Sequence, residues 1–273
     1  MNKRSGLLLC LLMTCSCAWA AEEGVKVISP DRFHLEAGDL SIGLSQDWRQ
    51  PLPQVTRALI IVHGRLRNAQ TYLKSGEDAA QSAGQSTNTL VIAPQFLNES
   101  DVKRNQLNTQ VLRWHGNDWM AGEPSIGPGQ VSSYGALDQI IKHLGNHKLF
   151  PALKEIVVAG HSGGGQVVQR FALTGHDHPT LKTEGISLRY VVANPSSYAY
   201  FSPQRPVKFD VAIAQEVDLA VVASCRTFGV HPRVFFVVDG AEIEQRLIKL
   251  GQAGKAVRAQ VEVVKLKVHV VPL

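Results

Sequence analysis

Residues 160–164 read Gly-His-Ser-Gly-Gly, a G-x-S-x-G arrangement with a serine at its centre. A serine hydroxyl is a weak nucleophile unless the backbone presents it clear of its neighbours and a base takes its proton. The spacing meets the first condition. The apolar run Glu155–Ala159 precedes the motif and a helical pattern over Gln166–Leu173 follows it, so Ser162 falls at a tight turn from a buried strand into a helix. Residues two places either side of such a turn nearly touch, and Gly160 and Gly164 leave the room. The turn lifts the Ser162 hydroxyl above the sheet and aims the Gly163 N–H into the same space. The helix N-terminus adds positive partial charge there. Together these favour attack on a carbonyl and an oxyanion beside it. The competing reading is a glycine-rich helix entry that binds a phosphate or only turns the chain.

A second apolar run, Arg57–Val62, ends at His63-Gly64-Arg65. A strand closed by His-Gly suits a second oxyanion donor, here the Arg65 backbone N–H, with Gly64 letting the loop come close. The alternative is a plain turn. Trp114, Trp119, His161 and Tyr198 are candidates for the substrate pocket, with core packing the other role for the tryptophans. Arg65 and Arg67 could steer an anionic substrate or simply lie exposed. His176-Asp177-His178 offers two imidazoles without further ligands, a poor metal site.

These residues need a scaffold, and the apolar pattern describes one. Arg57–Val62, Thr89–Ala93, Glu155–Ala159, Arg189–Ala193 and Val234–Val238 are short, mostly aliphatic runs that read as buried strands. Pro94 closes the second and Asn194-Pro195 the fourth. Between them, helices are expected from an Asn68 cap toward Ala83, over Ser132–Leu144, over Gln166–Leu173 and from about Ala241 to Leu250. A last strand is expected over Val261–Val271. Strands alternating with helices imply parallel pairing, right-handed crossovers and helices on both faces of one sheet. Ligands in such sheets bind at the carboxyl ends of the strands. Residues 97–131 carry weak periodicity and read as loops over the site mouth.

Composition narrows the class. The chain has 273 residues, 44% hydrophobic and 19% charged, which excludes disorder and a multi-span membrane protein. The net charge of +5 comes from scattered Lys and Arg, without the stripe a nucleic-acid partner would require. Lys3 and Arg4, the apolar Leu7–Met13 and the small-x-small Ala18-Trp19-Ala20 have the layout of a secretory signal, too short for a span. Cleavage is expected after Ala20, giving a periplasmic or secreted chain; a lipidated Cys15 or Cys17 is the second choice. Cleavage leaves Cys225 as the sole cysteine, without an intrachain disulfide.

The chain resembles the α/β-hydrolases, and more narrowly a bacterial group of secreted or uncharacterised members. The similarity runs over about residues 57–206. His63 to Ala69, Ala93 to Leu97, Arg113-Trp114 with Trp119, Gly160 to Ala172 and Val192 to Tyr198 carry it. The resemblance implies the α/β-hydrolase fold, a single domain over 21–273 after a signal peptide at 1–20, and no cofactor. It also implies a Ser-acid-His mechanism on a small-molecule ester or related acyl bond. Such a triad runs Ser, Asp/Glu, His along the chain. Asp239, directly after Val234–Val238, suits the acid, with Asp210 and Asp218 behind it. Its other role is a turn or helix cap. His269 is the correctly ordered histidine, yet strand alternation puts it on the same face as Lys265 and Lys267, which looks like a solvent face. His176, His178 and His231 come too early. From Val207 on there are 16 valines in 67 residues, against 14 in the 186 residues of 21–206. Residues 207–273 therefore read as a divergent or frame-shifted ending. The rival function is a non-catalytic binding protein or pseudoenzyme that keeps the elbow and lacks the base.

Overall fold

The computed structural model describes residues 23–199 and the strand Arg233–Val237. Seven strands form one sheet: β1 (Asp31–Leu35), β2 (Gly38–Leu44), β3 (Arg57–Val62), β4 (Thr89–Gln95), β5 (Glu155–His161), β6 (Ser187–Ala193) and β7 (Arg233–Val237). Their order is β1-β2-β4-β3-β5-β6-β7. The pairs of β1 with β2 and β2 with β4 are antiparallel, and every pair from β4 to β7 is parallel. The expected α/β sheet is present, extended by an antiparallel hairpin at one edge.

Side-chain alternation explains the layers. On β3, Ala58, Ile60 and Val62 join the large core, whereas Leu59 and Ile61 pack on the opposite face. On β4, Leu90 and Ile92 point to the first face and Val91 and Ala93 to the second, so the strand is buried throughout. Helix α1 (Ala69–Ser82) covers the second face through Ala69 and Leu73. Helices α3 (Ser133–Leu144) and α4 (Gly163–Thr174) cover the first, through Ala136, Leu137, Ile140, Ile141, Val167, Val168 and Phe171. Two short helices, α2 (Glu99–Arg104) and α5 (Pro179–Thr183), lie in the connections.

Several boundaries differ from the sequence expectation, each for a local reason. Strand β4 does not stop at Pro94: the proline pairs with Ile42 of β2 beyond the last β3 partner, Ile92, so its missing N–H breaks no ladder on the β3 side. Helix α4 starts at Gly163, three residues early, because the glycines after Ser162 already take helical conformation. Asn68 stands at the start of α1 without a side-chain capping bond, whereas Ser132 caps α3 by accepting from the Gly135 N–H at 2.8 Å. The 97–131 segment is not a loose cover. Asn98 and Asp101 form a reciprocal capping box on α2, and a 3-10 turn at Asp118–Ala121 carries Trp119 into the core. The signal at 1–20, the helix near 241–250, the strand at 261–271, Cys225, Asp210, Asp218, His231, Asp239 and His269 lie outside the described residues.

Candidate active site

The elbow is built from backbone. Ser162 has φ 56° and ψ −119°, a conformation that costs a non-glycine residue roughly 1–3 kcal/mol and persists only where neighbours enforce it. They do so on both sides of the peptide. The Ser162 N–H donates to the Ala193 carbonyl at the end of β6 (3.1 Å), and the Ser162 carbonyl accepts from the Gln166 and Ser196 N–H groups (3.0 and 3.1 Å). The tight approach expected of Gly160 and Gly164 is present. A Cβ on Gly160 would lie 2.3 Å from the Gly164 oxygen, and one on Gly164 would lie 2.1 Å from the Val62 oxygen. Gly165 belongs with them: its Cβ would meet the Ala193 oxygen at 2.5 Å. The run of three glycines held that signal, but the sequence reading used only the first two.

The β3 exit lies against this crest. A Cβ on Gly163 would stand 3.0 Å from the Arg65 nitrogen, so the two proposed oxyanion donors are neighbours. Gly163 opens α4, where an N–H has no intrahelical acceptor. Among the described residues the Arg65 N–H has no acceptor either. The close approach expected at Gly64 is not where the crest packs: a Cβ there would lie 3.8 Å from the His161 oxygen, an ordinary contact, and would meet only the Tyr72 hydroxyl, at 2.8 Å.

What holds this loop was not visible in the sequence. His63 is fully buried, with its Nε2 accepting from the Phe96 N–H at 2.9 Å. That bond assigns the tautomer: Nδ1 carries the hydrogen and donates to the Gly64 carbonyl at 2.8 Å. Burial lowers the imidazole to about 4, so at neutral pH it is an uncharged strut between the β3 and β4 exits. Its ring packs edge-on against Trp119 at 4.6 Å. Arg67 is 2% exposed and has φ 57°, which corrects both sequence readings of it: it neither lies exposed nor steers a substrate. Its Nε donates to Asp101 Oδ2 at 2.7 Å, Nη2 to Oδ1 at 3.3 Å and Nη1 to the Arg65 carbonyl at 3.1 Å. Asp101 is fully buried and also accepts from the Asn98 and Val25 N–H groups. Gln95 ties the Arg67 carbonyl at 2.8 Å. Arg65 itself is exposed.

The candidate pocket residues divide. Trp114 and Trp119 are fully buried: Phe96 stacks on Trp119 (5.6 Å, 13°) and meets Trp114 edge-on (5.3 Å). Packing, the alternative role, is where they sit, and they offer no face to an incoming ligand. Met120, next to Trp119, reaches the crest instead, its Cε 3.1 Å from a Cβ placed on Gly163. No sequence signal singled it out. His161 and Tyr198 are exposed, the former adjacent to Ser162 and the latter on the β6 exit loop.

Among the described residues no histidine nitrogen bonds the Ser162 hydroxyl; its side-chain contact is the Ser196 hydroxyl at 3.4 Å. His176 and His178 both turn to Asp138 of α3, at 2.5 and 3.1 Å. No group of three His, Cys, Asp or Glu among the described residues is placed to hold a metal, and no described helix is long and apolar enough to cross a membrane.

The strand order, the antiparallel β2 and a strained serine between β5 and α4 decide the architecture. The fold is that of the α/β-hydrolases. Solved structures similar to the chain include a poly(3-hydroxybutyrate) depolymerase from Bordetella parapertussis, at 16% identity and TM-score 0.45 over 76% of this chain and 65% of that one. Others are a poly(aspartic acid) hydrolase from Sphingomonas sp. KT-1 (19% identity, TM-score 0.44, 88% and 79% covered) and a fluorophosphonate-binding serine hydrolase from Staphylococcus aureus (14%, 0.44, 84% and 85%). The chain thus spans just under two thirds of the length of the depolymerase. No family model and no curated protein matches the chain. α/β-Hydrolase folds host many chemistries, so the activity has to be argued from the site.

Proposed function

We propose that the protein is a serine hydrolase that cleaves an ester or related acyl bond through an acyl-enzyme. The reading rests on one observation: Ser162 stands at a positive-φ crest, with the Arg65 nitrogen packed close against the adjacent Gly163. In this scheme Ser162 Oγ attacks the carbonyl carbon, and its proton passes to a general base. The carbonyl oxygen becomes an oxyanion between the two N–H groups, and the base returns the proton to the leaving group. Two fixed donors in a site framed by buried groups need no reorganisation as charge develops. His269 as the base and Asp239 as its partner are the assignments that chain order favours. The signal at 1–20 goes with a periplasmic or secreted enzyme, which sequencing the N-terminus of the exported protein tests at Ala20.

The decisive experiment is labelling with a fluorophosphonate, located by peptide mass spectrometry, alongside turnover of p-nitrophenyl esters. Modification of Ser162 with turnover is expected, and Ser162→Ala abolishes both. Absence of labelling in the folded wild-type chain overturns the reading in favour of a non-catalytic binding protein on the same scaffold.

A further inference from the structure

The β6 exit loop is held far more firmly than a surface connection needs to be. Asn194 takes a positive φ of 39°, and Pro195 behind it is buried. From there the loop is fastened to α4 at successive points. The Ser196 N–H donates to the Ser162 carbonyl at 3.1 Å. Ser197 Oγ donates to Gln166 Oε1 at 2.9 Å and accepts from Arg170 Nη2 at 3.1 Å. The Ala199 N–H donates to Gln169 Oε1 at 2.9 Å. Gln166 and Gln169 are themselves buried, so these anchors do not drift with solvent. Within this frame Ser196 is exposed, and its hydroxyl stands 3.4 Å from the nucleophilic oxygen.

We propose that Ser196 is a positioning residue for the nucleophile, its hydroxyl donating to Ser162 Oγ and holding that side chain in the rotamer from which it attacks. This rests on the serine-hydrolase reading. The resting separation exceeds the roughly 2.7–2.8 Å of a tight hydroxyl pair, and such bonds commonly shorten once substrate closes the site. Ser196 keeps its proton throughout; the Ser162 proton goes to the general base. As oxygen 162 gains negative charge the contact strengthens, so its effect falls on kcat and on the rate of covalent labelling. A strained asparagine and three side-chain anchors on α4 supply the rigidity that such a contact requires.

The test compares wild type, Ser196→Ala and Ser196→Thr for fluorophosphonate labelling rate, kcat, KM and thermal midpoint. The expected result for Ser196→Ala is a five- to ten-fold loss, roughly the worth of one hydrogen bond, in labelling rate and kcat, with KM and midpoint unchanged. Ser196→Thr keeps the hydroxyl and restores both rates. The proposal is overturned if Ser196→Ala labels at the wild-type rate, if only KM changes, or if threonine fails as alanine does. Wild type that labels normally while Ser196→Ala does too removes this proposal alone; a wild type that does not label at Ser162 removes the hydrolase reading and this one with it.

Discussion

Two walls flank Ser162, and they are built on different physics. The wall from the β3 and β4 exits is dry and contains charge: a fully buried Arg67–Asp101 pair, a neutral buried His63 and a capping box beneath them. The wall from the β6 exit is wetter: the Gln166 and Gln169 amides and the Arg170 guanidinium of α4 bond a loop whose residues are exposed or half-buried, apart from Pro195. The first is an all-or-nothing arrangement, because removing one member strands another away from water. The second degrades by increments, since water can take over each lost bond. The same crest is therefore held most stiffly on the side of the Arg65 donor, by one interdependent network, and by separable bonds on the side of Ser196.

The contrast is broken most directly at Asp101. Asp101→Ala removes the carboxylate that accepts two bonds from the buried Arg67 guanidinium, and breaking a buried ion pair costs about 3–5 kcal/mol. For a domain of this size that lowers the thermal midpoint by roughly 10 °C. Replacing both residues with apolar ones should cost far less than the single change. A double-mutant cycle by urea unfolding measures this, and additive losses would mean that the pair is not coupled.

The next effect is kinetic. Arg65→Pro deletes the backbone N–H proposed as an oxyanion donor, whereas Arg65→Ala keeps it. Ester hydrolysis by Arg65→Pro is expected to fall by about 10²–10³-fold, with the alanine variant close to wild type. Equal losses in both variants would transfer the role from the peptide to the exposed side chain.

A third test uses pH. The folded imidazole of His63 is lowered to about 4 by burial, whereas in the unfolded chain it titrates near 6.5. Above 6.5 neither form is protonated and His63 carries no penalty. As pH falls from 6.5 to 4 the unfolded chain alone takes the proton, so stability drops, and the loss levels off below 4. The full change is about 3 kcal/mol. Urea unfolding of wild type and His63→Gln between pH 7 and 4 isolates it as a difference in slope; parallel curves would show that His63 does not carry this penalty.

How much of this was legible in the sequence follows the same division. Strands β3 to β6 read clearly because parallel strands buried on both faces must be nearly continuous aliphatic runs. The hairpin β1–β2 lacked such runs, although Phe33 and Leu35, then Leu40, Ile42 and Leu44, alternate in the manner of half-buried strands. The elbow was readable because its constraint is local: glycine where backbones touch. The stiff wall was not, because Arg67 and Asp101 meet across 34 residues and only the fold brings them together. Asn98-x-x-Asp101 was a local clue to a helix start, but it said nothing of the arginine. Trp114 and Trp119 misled because an aromatic in a loop-like stretch looks like a pocket lining until burial is known.

The smallest effect belongs to the wall of separable bonds. Gln169→Ala removes the acceptor of the Ala199 N–H, a half-buried group that water can reach. A neutral bond replaced in this way costs about 1 kcal/mol, against several for Asp101. The ratio matters more than either value. If the walls differ as described, Gln169→Ala should leave global unfolding nearly unchanged while amide hydrogen exchange at residues 196–199 accelerates, since local opening of the loop need not disturb the sheet. Asp101→Ala should instead lower protection across β3, β4 and α2 together. Global destabilisation by Gln169→Ala would mean that the β6 exit loop is part of the cooperative core, and the distinction between the two sides of Ser162 would be lost.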